Sequence, residues 1–228
     1  MTPVPRRERP DGTVDTISAH AARRLNLVAA VSFVVGGSLF ALGAVMAQLD
    51  VGSLVAVNLT YLVGGIFFSA GGYASIRLAP PHQRQRHSAV VLFVGTLLFA
   101  VSLVAAFAAG LTPRQSDGWI WLPDMLGCVC FLVSGHLAML EVGAGRVRVR
   151  PRDIAWWVVA VNQVGSILFF LAGLAAFVRP ATSEAIDAGL VNWGTFAGAL
   201  CFAVGGVIQA FDVPTPPRSG APARDAAS

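Results

Sequence analysis

The chain has 228 residues, of which 55% are hydrophobic and 12% charged, and its formal net charge is +4. Soluble domains carry about 25% charged residues, so this composition excludes an ordinary soluble domain, a nucleic-acid-binding domain, a disordered chain, a collagen and a secreted disulfide scaffold. With a mean hydropathy of +0.68, the composition indicates a membrane protein.

Six apolar runs are each long enough to cross a hydrocarbon core of about 30 Å, which takes about 20 helical residues. In chain order they cover residues 27–48, 54–77, 88–110, 121–142, 153–178 and 191–211. Their continuous apolar character favours helices over barrel strands, whose residues alternate between apolar and polar. The prediction is an all-α polytopic bundle of six transmembrane helices within residues 25–212. It is built as three tandem hairpins at 27–77, 88–142 and 153–211.

Polar segments flank this bundle. Residues 1–24 combine prolines with charges, and residues 213–228 are rich in proline and alanine, so both are expected to be disordered and cytoplasmic. The first apolar run is longer than the core of a signal peptide and is interpreted as a retained helix. Only short loops separate the runs, which leaves no room for a soluble catalytic domain between them.

Arginine supplies all sixteen basic residues, and its distribution predicts the orientation because cytoplasmic loops collect positive charge. With the N-terminus inside, the cytoplasmic set is Arg6, Arg7, Arg9, Arg23, Arg24, Arg77, Arg84, Arg86, Arg146, Arg148, Arg150, Arg152, Arg218 and Arg224. Arg114 and Arg179 fall on the opposite side. We therefore expect a multi-pass protein of a bacterial inner (cytoplasmic) membrane with both termini cytoplasmic. The cytoplasmic arginines are also candidates for binding anionic lipid headgroups, besides fixing the topology.

Every span carries the pattern Gly-x-x-x-Phe-x-x-small. The copies are Gly36, Phe40 and Gly43; Gly64, Phe68 and Gly71; Gly95, Phe99 and Ser102; Gly127, Phe131 and Ser134; Gly165, Phe169 and Ala172; and Gly198, Phe202 and Gly205. Offsets of 0, 4 and 7 lie on one helix face, so each span presents a stripe of small, aromatic and small residues. Small residues let helices approach closely in lipid, where no hydrophobic force drives their association. We interpret these eighteen residues as helix-packing positions, with the copies inverted within each hairpin.

The same strings resemble a known bacterial module. GGSLF at 36–40, NLTYLVGGIFFSAGGY at 58–73, WLPDMLGCVCFLVSGHLAMLE at 121–141, NQVGSILFF at 162–170 and WGTFAGALCFAVGG at 193–206 are similar to the YrhK-type membrane hairpin. That hairpin pairs two helices around a Gly-Ser-x-x-Phe-like core. Ser166 keeps its serine, whereas the other copies have Gly37, Gly65, Thr96, Cys128 and Ala199. The resemblance implies about three such hairpins, and a family to which no biochemical activity is assigned.

Four polar residues within the spans are candidates for chemistry, because burying such groups in a membrane costs several kcal/mol. His136 is expected to hydrogen-bond Asn162 or Gln163 on the following antiparallel helix, or else to serve in a wet cavity as a proton relay or substrate group. Asp124 follows Pro123 and is expected to cap the first turn of the fourth span, where a carboxylate meets free N–H groups and the positive helix end.

Catalytic and metal-binding motifs do not emerge from the sequence. Cys128, Cys130 and Cys201 all fall inside spans, and the first two point to different sides of one helix. Neither a zinc-ligand spacing nor a nucleophile elbow or phosphate-binding loop is present. We expect no catalytic residues, no metal and no cofactor.

These patterns favour a non-enzymatic integral membrane protein with a structural, scaffolding or lipid-interacting role. Its expected partners are the lipid bilayer and a second copy of itself, and no nucleic acid. The alternative is a small-solute or proton-coupled transporter that uses His136 and its polar neighbours. A membrane enzyme is a third reading, and it requires at least two titratable groups within hydrogen-bond reach at one membrane face. Convergence of the polar groups on one hydrated cavity would favour transport.

Overall fold

The computed structural model describes residues 18–80 and 84–212. Within these ranges six helices are long and apolar enough to cross a membrane. They are α1 (Ala19–Gln48), α2 (Leu54–Leu78), α3 (Arg84–Ala105), α4 (Pro113–Val142), α5 (Ile154–Ala175) and α6 (Ala188–Phe211). A short antiparallel pair, β1 (Val178–Arg179) and β2 (Glu184–Ala185), lies between α5 and α6. The prediction of an all-α bundle with six transmembrane helices is confirmed.

Polar side chains define where several helices begin, because the first backbone N–H groups of a helix have no partner within it. Ser18 accepts a hydrogen bond from the amide of Ala21 at 3.2 Å, so α1 begins at Ala19. Residues 19–24, assigned above to the disordered N-terminus, are therefore helical. Similar caps are formed by Ser53, Thr112, Asp153 and Asp187. Residues 1–17 and 213–228, where the other terminal predictions fall, lie outside the described residues.

The fourth span starts earlier than the apolar run suggests. Thr112 and Gln115 form a reciprocal capping box, and α4 begins at Pro113, eight residues before the predicted start at 121. The helix continues through Pro123, which lacks an N–H group, by way of a π-helical turn at Asp117–Trp121. The preceding helix, α3, ends at Ala105, whereas the third predicted apolar run extends to residue 110.

The six helices form a closed ring. Each helix packs against its neighbours in sequence, and α6 packs against α1, which closes the ring. The starts of α1, α3 and α5 and the ends of α2, α4 and α6 share one end of the ring. Among the described residues, this arginine-rich end carries Arg23, Arg24, Arg77, Arg84, Arg86, Arg146, Arg148, Arg150 and Arg152. The opposite, arginine-poor end carries Arg114 and Arg179.

Candidate functional site

The six motif phenylalanines meet in the middle of the ring. All eighteen motif residues are buried, and each phenylalanine is at most 6% exposed. Within the second hairpin the rings of Phe99 and Phe131 stack with centroids 5.1 Å apart. Across hairpins, Phe202 lies 5.4 Å from Phe68 and 5.7 Å from Phe131. Aromatic pairs at such distances contribute about 0.5–1.5 kcal/mol each, so the cluster fills and stabilises the centre of the ring.

Within each of the first two hairpins, the motif glycine of one helix packs against the motif phenylalanine of the other helix. A Cβ placed on Gly36 would lie 2.9 Å from the ring of Phe68, and one on Gly64 would lie 2.7 Å from the ring of Phe40. The second hairpin repeats this arrangement, with Gly95 under Phe131 and Gly127 under Phe99. Because paired helices are antiparallel, a phenylalanine four residues beyond one motif glycine reaches the motif glycine of the other helix.

The third hairpin brings its backbones together at the same place. A Cβ on Gly165 would lie 2.9 Å from the carbonyl oxygen of Gly198, and one on Gly198 would lie 3.0 Å from that of Gly165. Such close approach permits Cα–H···O contacts, which contribute about 0.5–1 kcal/mol each. Any larger side chain at these glycines would force the two helices apart.

The centre of the ring is apolar and almost completely filled. It holds a cavity of about 10 Å³ lined by Phe40, Phe68, Phe99, Phe131, Phe169, Gly65 and Thr96. A water molecule needs at least that volume and two to four polar partners. The hydroxyl of Thr96 already donates to the carbonyl oxygen of Phe93 at 2.7 Å, so the lining offers almost no free polar group.

His136 does not make the expected interhelical contact. Its side chain is exposed on the outside of α4, and no hydrogen bond of the described residues involves it. The prediction that it pairs with Asn162 or Gln163 is wrong, because Gly135 holds the position on α4 that faces α5. One helical step of about 100° turns His136 away from that contact.

Asn162 and Gln163 contact glycines on two different helices. Asn162 presses its amide against Gly205 of α6, and Gln163 presses its amide against Gly135 of α4. The side-chain oxygen of each is buried without a hydrogen-bond partner in the described part of the chain. The two amides therefore diverge, and they do not line a common cavity with His136.

Asp124 is not the cap that the sequence suggested. The helix begins eleven residues earlier, at Pro113, so the free N–H groups of its first turn are distant from Asp124. The side chain is partly buried and lies beside Gly173 of α5, with its Oδ2 atom 3.3 Å from the position of a Cβ on that glycine. Asp124 therefore lies in the arginine-poor half, whereas Asn162 and Gln163 lie in the other half.

Two polar pairs join helices at the arginine-rich end, and sequence reasoning missed both. The hydroxyl of Ser88 donates to the carbonyl oxygen of Ser134 at 2.9 Å, and that of Ser134 donates to the carbonyl oxygen of Ser88 at 2.8 Å. The Asn26 amide donates to the carbonyl oxygen of Gln209 at 3.0 Å, and the Gln209 side chain donates to Asn26 Oδ1 at 3.1 Å. Ser88 precedes Gly95 by seven residues, which is two helical turns, so the two residues share one face of α3. The periodicity of the stripe could therefore have placed Ser88 at a helix contact.

Charge interactions are sparse outside the spans. Among residues 18–80 and 84–212 one ion pair is found, between Arg150 and Asp153 at 3.7 Å. Burial raises the pKa of Asp212 above its ordinary value, and the charge of Asp153 raises it further. The described residues contain no group of three or more His, Cys, Asp or Glu side chains arranged to hold a metal, and Cys128, Cys130 and Cys201 are free thiols.

Comparisons with known proteins found no matching family model, no matching curated protein and no matching solved structure.

Proposed function

We propose that this chain is a non-enzymatic integral membrane protein with a structural, scaffolding or lipid-interacting role. The observation that carries the proposal is the ring filled by six phenylalanines, one from each helix. A transporter of the alternating-access type needs a polar site near mid-membrane and helices that are broken there. The middle of this ring is apolar, and its helices pass that depth unbroken.

The dispersal of the four polar candidates also supports this proposal over transport. His136 faces outwards, Asn162 and Gln163 press against different helices, and Asp124 lies in the opposite half of the ring. A proton or solute moving between Asp124 and Asn162 or Gln163 would have to cross the phenylalanine cluster.

We further propose the orientation and the membrane surface that the protein contacts. The proposed location is a bacterial inner membrane with the arginine-rich end in the cytoplasm, where positive charge accumulates in membrane proteins. Anionic lipid headgroups would bind there at about 1 kcal/mol per basic residue. We also propose membership of the YrhK-type family, on the sequence strings that resemble its hairpin.

A flux assay tests the proposal against the transport alternative. The full chain is reconstituted in liposomes that contain a pH-sensitive dye, and an imposed proton gradient is followed with an ionophore as positive control. We expect the proton leak to equal that of protein-free liposomes. A faster leak that His136→Ala or Asp124→Asn abolishes, at normal protein yield, would replace the proposal by the transport alternative.

A lipid-binding experiment tests the role of the arginines. Native mass spectrometry compares retention of phosphatidylglycerol and phosphatidylcholine by the wild type and by the variant Arg146→Gln/Arg148→Gln. The matched control is Arg114→Gln/Arg179→Gln, which removes the same charge from the other end. We expect only the first variant to lose selective retention of the anionic lipid. Equal retention in all three proteins would contradict lipid recognition at the arginine-rich end.

A further inference from the structure

The position three residues before each motif glycine also faces the interior of the ring. Offsets of −3, 0, 4 and 7 share one helix face, so this position extends the stripe by one turn. In chain order it is occupied by Phe33, Tyr61, Leu92, Asp124, Asn162 and Thr195. Packing at this position is compatible with aromatic, aliphatic and neutral polar side chains. The ionisable carboxyl of Asp124 is therefore a departure that packing does not explain.

The surroundings of Asp124 place its carboxyl between the α4–α5 contact and the interior. Its Oδ2 atom lies beside Gly173 of α5, and the indole of Trp121 donates to the carbonyl oxygen of that glycine at 2.8 Å. The Sγ atom of Cys128 lies 3.6 Å from the position of a Cβ on Gly173. Tyr61 occupies the equivalent stripe position on α2, which runs in the same direction as α4.

No counter-charge is found for this carboxyl within the described residues. The ion pair between Arg150 and Asp153 lies at the other end of the ring, and no hydrogen bond from the described residues reaches the Asp124 carboxyl. Arg114 and Arg179, the basic residues of the near end, are exposed. Along residues 92–105 of α3 and 165–175 of α5, which flank Asp124, there is no titratable side chain. The titratable groups on the same interior face nearby are thus Tyr61 and Cys128.

An ionised carboxylate in such a place is several kcal/mol less stable than one in water, and proteins relieve this by pairing the charge or by neutralising it. With no pairing group present, neutralisation must come from outside the chain. The phenylalanine cluster separates Asp124 from the arginine-rich end, so the route to bulk water runs through the arginine-poor end.

We propose that Asp124 is a dead-end proton-binding site, a carboxylic acid inside the ring that exchanges its proton with the arginine-poor side alone. The ligand is one proton: the carboxylate gains H⁺ to become the neutral acid and returns it to the same side. Net transport is not involved, so the site is independent of the function proposed above.

Labelling with dicyclohexylcarbodiimide tests the site in the full-length wild-type protein. This apolar reagent reacts with protonated carboxyls: the acid adds across a C=N bond, and the acyl group then migrates to nitrogen, which leaves a stable adduct with no group lost. At neutral pH we expect peptide mass spectrometry to find Asp124 labelled at least about tenfold more than Glu184 and Asp187. Those two carboxyls of the same chain are exposed at the surface.

Two further measurements make the outcome decisive. Infrared difference spectra of wild type minus Asp124→Asn, both checked as monodisperse by gel filtration, should show the C=O band of a neutral acid at neutral pH. Labelling of Asp124 no greater than that of Asp187, or carboxylate bands alone, would overturn the proposal. Suppression of the labelling by sodium ions at constant pH would overturn it as well, because a metal cation would then be the ligand.

Discussion

Two contacts between hairpins show how one repeat yields different helix interfaces. In the closing seam, between α1 and α6, a Cβ on Gly37 would lie 2.7 Å from the carbonyl oxygen of Ala199, and one on Gly206 would lie 2.8 Å from that of Ala30. Glycine therefore brings backbone against backbone there. In the polar seam, between α4 and α5, Gly135 instead accommodates the amide of Gln163.

The difference teaches that a small residue alone does not define a tight helix contact. The closing seam also holds the Asn26–Gln209 amide pair, whose polar atoms are hydrogen-bonded. In the polar seam the oxygen of Gln163 is buried without a partner, and Asp124 lies beside Gly173 with no ion pair. We therefore expect the closing seam to carry stability, and the polar seam to tolerate change.

The largest expected difference in stability comes from adding one methyl group to a glycine in each seam. Gly37→Ala places a Cβ against backbone atoms that cannot move independently, and overpacking of this kind costs about 1–3 kcal/mol. Gly135→Ala is the matched control, because the Gln163 side chain can rotate away and both variants gain the same helix propensity. Thermal unfolding in detergent should rank Gly37→Ala well below Gly135→Ala. Equal losses would remove the distinction between the seams.

The next effect comes from replacing one amide in each seam. Asn26→Leu removes the hydrogen bonds of Asn26 with Gln209 and with the carbonyl oxygen of Asp212. Interhelical hydrogen bonds in membranes contribute about 0.6 kcal/mol each on average, so we expect a loss of about 1–2 kcal/mol. Gln163→Leu removes an oxygen that has no hydrogen-bond partner, so its stability should match or exceed that of the wild type. The same unfolding assay measures both, and a greater loss for Gln163→Leu would reverse the assignment.

A smaller, pH-dependent effect is expected where the closing seam ends. The pKa of Asp212 is raised in the folded protein, chiefly by burial. The folded protein therefore keeps the Asp212 proton to a higher pH than the unfolded chain does. Consequently the free energy of unfolding falls as the pH rises above about 4, the pKa of an aspartate in the unfolded chain. Asp212→Asn removes this dependence. Its unfolding temperature should exceed that of the wild type by at most about 3 °C at pH 7 and equal it near pH 3. A gain that is the same at both pH values would exclude titration as the cause.

The smallest effect is expected for His136→Ala. The side chain is exposed and makes no hydrogen bond within the described residues, although it directly follows the glycine of the polar seam. Surface substitutions of this kind change stability by less than about 0.5 kcal/mol. An unfolding temperature several degrees lower would mean that His136 contributes to the seam after all.

The number and character of the helices were predictable because a bilayer demands long apolar runs. Helix ends were less predictable, since polar residues also form helices once a cap such as Ser18 or Thr112 satisfies the first turn. The capping role expected for Asp124 failed for this reason: hydropathy placed the start of the span at Trp121, whereas the cap lies at Thr112.

The contacts of the polar residues were beyond prediction from one sequence. Asn26 and Gln209 are 183 residues apart, and nothing local indicates that the first and last helices are neighbours. His136 and Gly135 differ by one position, and which of them faces α5 depends on the rotation of α4 in the ring. Periodicity identifies a shared face within a helix, but it does not identify what lies opposite.

The closing seam also has a consequence for biosynthesis. Until α6 has been synthesised, the Gly37 face of α1 has no packing partner, because Ala199 and Ala203 belong to the sixth of these helices. Hairpins can therefore enter the bilayer one after another, but the ring closes only after α6 has been inserted.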